Sequence, residues 1–192
     1  MDHLLKIQTS GIQKDGKDDY FNHRYEPTPY EVLDQLFDQY TINKEACFID
    51  YGCGKGRLNF YIEHRFHCKT KGIEYNPEYY QDACHNLVSY TGRHRENIEF
   101  FNMAAQDYKV TSEDTIFYFF NPFSPEIFMS TIGQIQASLY EAPRKITILL
   151  YYPDYEYTYY LDSCTEFTLT IELPIQIEHQ DERECFMIYQ NL

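Results

Sequence analysis

The sequence predicts an α/β protein in which short buried strands alternate with helices, and three observations predict it. First, an apolar run, Phe48-Ile49-Asp50-Tyr51, breaks into Gly52, Gly54 and Gly56 and then gives way to a segment of helical character from Leu58 to Ile62. Second, strand-length apolar runs recur at 71–74, 97–102, 115–120 and 144–152, with helical stretches between them. Third, the chain closes on two alternating runs, 167–173 and 184–189, joined through the polar stretch 178–183.

Taken in order, residues 15–30 are polar, broken by Pro27 and Pro29, and aromatic. An amphipathic helix carrying Val32, Leu33, Leu36 and Phe37 follows and is expected to cover an edge of the sheet. The glycines after the first strand let the backbone turn tightly and approach a ligand, and the N–H groups at the start of the next helix favour an anion. A dinucleotide fingerprint, G-x-G-x-x-G, would place its third glycine where Arg57 stands; here that glycine comes one residue early, at Gly56.

The second strand ends in Glu74, at about the 20-residue distance where a carboxylate meets ribose hydroxyls in a Rossmann-type fold. Pro77 then opens a helix. The third strand leads into Ala104-Ala105-Gln106-Asp107, and the fourth ends in Asn121-Pro122-Phe123. Ser124 is placed to cap a helix over 125–139, with Ile127, Phe128, Ile132 and Ile135 at helical spacing. The fifth strand is stopped by Pro153, and a cluster of tyrosines from Tyr151 to Tyr160 follows it.

Asp50-x-Gly52-x-Gly54-x-Gly56 resembles motif I of the class I S-adenosylmethionine-dependent methyltransferases, and the resemblance extends over residues 45–190. It implies a Rossmann-like seven-stranded mixed sheet of order 3-2-1-4-5-7-6, strand 7 antiparallel, with helices on both faces. Residues 45–192 would form the methyltransferase domain, and residues 1–44 a lid segment and helix packed on it. The implied cofactor is S-adenosyl-L-methionine, held by Asp50, Gly52, Cys53, Gly54, Gly56, Glu74 at the ribose, Asp107 at the adenine, and Asn121. Asn121-Pro122-Phe123 resembles part of the (D/N/S)-P-P-(Y/F/W) motif of amino-methylating enzymes, which makes these three the candidate catalytic residues. The second proline is absent and the aromatic stands one place early. Tyr20, Tyr25 and Tyr30 fall where the family puts a substrate lid; Tyr25, Tyr30 and Tyr152 are the candidate acceptor contacts.

Composition narrows the partners. In 192 residues, 43% hydrophobic, sixteen basic against thirty acidic residues leave a net charge of −14. That balance repels a polyanion and favours a small-molecule or protein acceptor over nucleic acid. The six cysteines stand singly, without C-x-x-C spacing, and His64 and His67 have no further ligand at metal-binding spacing, so no metal is expected. Met1–Lys6 lacks the apolar stretch of a secretory signal and no apolar run is membrane-length, so a cytoplasmic protein without membrane contact is expected. The function expected is methyl transfer to an acceptor such as an amine nitrogen of a small molecule or protein. The alternatives are an RNA methyltransferase and a non-catalytic S-adenosylmethionine-binding protein.

Overall fold

In chain order the elements are α1 (Asp2–Leu5), α2 (Tyr30–Gln39), β1 (Cys47–Tyr51), α3 (Arg57–Phe66), β2 (Lys69–Glu74), α4 (Pro77–Ser89), β3 (Ile98–Asn102), β4 (Asp114–Phe119), α5 (Pro125–Glu141), β5 (Thr147–Tyr151), α6 (Tyr155–Cys164), β6 (Phe167–Pro174) and β7 (Cys185–Asn191). They come from a computed structural model that describes residues 1–11, 26–176 and 183–191. The seven strands form one sheet in the order β3-β2-β1-β4-β5-β7-β6. β1 pairs parallel with β2 and β4, as do β2 with β3 and β4 with β5, while β7 runs antiparallel between β5 and β6. This is the Rossmann-like order the motif resemblance implies.

Alternation along the strands divides the core between two faces. Cys47, Ile49 and Tyr51 of β1 pack with Phe117 and Phe119 of β4 against Phe128, Ile132 and Ile135 of α5 and Tyr157 and Leu161 of α6. Phe48 of β1, Tyr118 of β4, Leu149 of β5 and Phe186 of β7 pack on the other face, against Leu58, Tyr61 and Ile62 of α3. Val32, Leu33, Leu36 and Phe37 of α2 join this second cluster, and Gln35 of α2 exchanges hydrogen bonds with the backbone of Gln176, just past the edge strand β6. Leu5 and Ile7 extend the cover toward β3, packing with Phe60, Tyr90 and Ile98.

Local chemistry starts the helices in different ways. Asn76 caps α4, its side chain accepting from the amides of Glu78 and Tyr79, with Pro77 in the first turn. Ser124 occupies the cap position of α5, but its hydroxyl makes no capping bond there, and Pro125 alone sets the first turn. The tyrosine cluster after β5 is a helix, α6, capped by Asp154 accepting from the amide of Glu156. One side of it is core: Tyr157 stacks on Phe128 with ring centroids 3.8 Å apart, while Tyr155 and Tyr159 stay exposed.

Candidate functional site

The carboxyl ends of β1, β2 and β4 converge where an open parallel sheet meets ligands. Gly52, Gly54 and Gly56 have φ of 78°, 53° and 83°, the left-handed region where a side chain is strained. At two of them the space is also closed. A Cβ on Gly52 would meet Pro122 at 2.7 Å, and one on Gly56 would meet Phe100 at 2.5 Å. The loop after β1 thus lies directly against the loop after β4, bringing Gly52 to Pro122 across the sheet. Gly72, in β2, gives way in the same manner to Phe100 and to the buried Cys53.

The loop's amides are turned into the protein. Gly52 and Cys53 donate to the carbonyl of Ile73, and Gly56 donates to that of Cys53. Gly54 donates to Glu74 Oε2 at 2.8 Å, and Glu74 Oε1 accepts from the amide of Asn76 at 2.7 Å. These four amides are therefore committed, and the anion-attracting end left by the fold is the first turn of α3, where intrahelical bonding begins with Phe60 N–H to Gly56 O. Lys55 fixes the loop to α4 through an ion pair with Asp82 at 3.1 Å, and its carbonyl accepts from Asn86 at 3.1 Å.

Two carboxylates face this loop from adjacent strands. Asp50 is 4% exposed and Glu74 8%. Burial, with the charge of Glu74 added, pushes the Asp50 carboxyl up to about 8. Glu74 is raised by burial too, against the opposing pull of the Asn76 and Gly54 amides. For Asp50 the sign is that of a proton held more tightly when folded: stability falls as pH rises from 3.8 toward about 8. Asp50→Asn should flatten thermal stability across that interval, measured as melting temperature against pH. An unchanged slope would mean that the Asp50 carboxyl does not hold this proton.

The remaining candidates separate. Asn121 sits at the end of β4 with φ of 40°, next to Pro122 against the glycine loop. Phe123 belongs to the core instead of the crevice: it is 4% exposed, edge-on to Phe119, and its carbonyl accepts from Tyr157. Phe120, one residue before Asn121, is the aromatic turned toward a cavity of about 370 Å³ that it lines with Glu26, Pro29, Val32, Tyr151, Tyr152 and Glu184. Asp107 is exposed on a 3₁₀ turn beyond β3. Tyr152 lines the cavity, whereas Tyr30 donates to Asp2 and carries the Arg57 guanidinium 4.8 Å from its ring centre. Tyr20 and Tyr25 lie outside the described residues.

Arg57, met in the sequence only as a departure from a fingerprint, is a hub. It donates to Thr9 and Ser10 and to the carbonyls of Pro27 and Thr28, tying both N-terminal stretches to the start of α3. Asn86 does the same from α4, exchanging bonds with the backbone of Gln8. No signal in the spacing of residues marks either role. Among the described residues no group of three metal-ligating side chains comes together, and no helix is long and apolar enough to cross a membrane.

No family model matches the chain, and neither does any curated protein. Solved structures do. A methyltransferase of Aquifex aeolicus described as SAM-dependent superposes with a TM-score of 0.63 at 12% identity, over 86% of this chain and 93% of that one. One from Methanosarcina mazei gives 0.62 at 14% identity, over 82% and 97%. An RNA methyltransferase of Salinibacter ruber, in complex with S-adenosyl-L-homocysteine, gives 0.57 at 16% identity, over 86% and 92%. The strand order, the glycine loop and these superpositions together show that the chain has the Rossmann-like fold of the S-adenosylmethionine-dependent methyltransferases.

Proposed function

We propose that this protein is an S-adenosylmethionine-dependent methyltransferase that acts on a small-molecule or protein acceptor. The observation that carries the reading is the Glu74 carboxylate, buried at the end of β2 and bonded to the amide of Gly54, between two positions where a side chain would collide. A carboxylate so held keeps further lone pairs for a diol, while the glycines let the loop pack tightly against Pro122 and Phe100 and so fix where that carboxylate stands. The bound cofactor would supply a methyl group activated on a sulfonium sulfur.

Glu74 would hold the ribose, the start of α3 the methionine carboxylate, and Asp50 would ionise to face the ligand's positive charge. Asp107 would serve the adenine. Asn121 would accept a hydrogen bond from the acceptor, orienting its lone pair, and Pro122 would fix the carbonyls beside it. The net charge of −14 disfavours an RNA acceptor, which has the Salinibacter ruber neighbour in its favour.

Calorimetry with S-adenosylmethionine and its demethylated product tests the binding, followed by transfer of a labelled methyl group to fractionated small molecules and proteins. Glu74→Ala should weaken binding by about 1–3 kcal/mol, from polar groups left unsatisfied. Unchanged affinity would remove the ribose assignment. With an acceptor in hand, Asn121→Ala should lower single-turnover rates about 100-fold while cofactor affinity moves far less. Normal transfer in that variant would exclude Asn121 from the chemistry.

A further inference from the structure

The cavity lined by Phe120, the residue before Asn121, has an unusual wall for a protein that would bind a sulfonium. Glu26, just before α2, and Glu184, just before β7, bring two carboxylates to it from opposite ends of the chain, and Phe120, Tyr151 and Tyr152 supply aromatic surface. Tyr151 is the centre of this wall. Its hydroxyl donates to Glu184 Oε2 at 2.5 Å, and its ring lies 4.6 Å from that of Phe120. Burial and the charges of Glu184 and Glu26 all act on Tyr151, raising its hydroxyl above the usual range, so both carboxylates bear on the same spot. Tyr152 is held at φ of 49°, a conformation unfavourable for a tyrosine, with its amide donating to the Cys185 carbonyl.

Aromatic faces with flanking carboxylates attract organic cations and repel phosphates. One such contact is already made within the chain. Arg183, exposed at the edge, places its guanidinium 4.3 Å from the centre of the Tyr152 ring and donates to the Tyr152 hydroxyl. A volume of about 370 Å³ suits one side chain or a small molecule.

We propose that this cavity is the acceptor's docking site and that it takes a positively charged organic group, an alkylammonium or a guanidinium, between Glu26, Glu184 and the rings of Phe120, Tyr151 and Tyr152. Naming the ligand an acceptor rests on the methyltransferase reading above; the cation preference rests on the cavity alone.

The test titrates n-butylammonium, n-butylguanidinium and the neutral isostere n-butylurea into the full chain with S-adenosylhomocysteine present, following ligand signals by NMR. At least one cation should bind about tenfold more tightly than the urea, and the order of the two cations tells whether a point charge or a planar group is preferred. Glu184→Gln should reduce that affinity about tenfold, and Glu26→Gln, an exposed change that leaves folding undisturbed, should reduce it severalfold. Cofactor affinity should be unaltered in both. Equal binding of cation and urea would overturn the proposal, as would cation affinity indifferent to both substitutions, or displacement of the cation by a short RNA. Discrimination between cation and urea with no binding of S-adenosylhomocysteine would uphold the cation site and remove the methyltransferase reading instead.

Discussion

Gly52→Val is expected to abolish measurable binding of S-adenosylmethionine, a loss of at least about 100-fold or ~2.7 kcal/mol. Two costs coincide at this position. The backbone φ of 78° is strained for a β-branched residue, and the added Cβ would stand 2.7 Å from that of Pro122. Neither cost is relieved by turning a flexible side chain, because the proline ring is rigid. The loop after β1 and the loop after β4 must therefore part, separating the proposed cofactor and acceptor contacts. Calorimetry, with circular dichroism to verify the fold, reads the outcome; binding at wild-type strength would show that the ligand does not use this loop.

Asp114→Ala is expected to have the largest effect on stability, about 3–5 kcal/mol. Asp114 is fully buried and pairs with Lys71 at 2.7 Å, while its other oxygen accepts from the Tyr108 hydroxyl at 3.0 Å and the Thr111 amide at 2.7 Å. Removing it leaves a largely buried ammonium with no compensating charge. Burial alone would lower the Lys71 pKa, but Asp114 outweighs it and holds the group above its ordinary value. Through Lys71, whose pKa is raised, the stabilisation is present at neutral pH and declines as pH rises through the pKa of the folded ammonium. Replacing both partners by apolar residues should cost much less than removing one. Urea denaturation of the single and double variants decides this, and equal losses would show that the pair is not the source. The network lies at the start of β4, away from the glycine loop, so cofactor affinity should not follow stability.

What the sequence revealed of this molecule follows from which interactions are local. Strand, glycine turn and helix leave a mark within ten residues, so Phe48 to Ile62 and the later alternation were legible, and the strand order came with the resemblance they carried. The tyrosine-rich stretch after β5 carries no clear helical signal, since its aromatic positions follow no clean stripe: Tyr157 and Leu161 are buried while Tyr155 and Tyr159 are exposed. Phe123 illustrates a one-residue ambiguity. A residue's distance from a strand end decides which way its ring turns, and the turn at Asn121 sends Phe120 to the cavity and Phe123 to the core. The cavity itself joins Glu26, Phe120 and Glu184, which are far apart in the chain; only the completed sheet brings them together. The same holds for Arg57, whose partners lie about 30 to 48 residues away.

The placement of β7 bears on how the protein is made. Among the described residues it is the last strand in chain order, yet it lies inside the sheet, between β5 and β6. While residues 185–191 are still within a ribosome, β5 presents an open edge rich in Ile148, Leu149 and Leu150, and β6 has no sheet to join. Strands one to five can assemble during synthesis, but the sheet closes only when its final strand inserts. The nascent chain therefore spends that interval with a sticky apolar edge exposed, which makes it a client for holding chaperones.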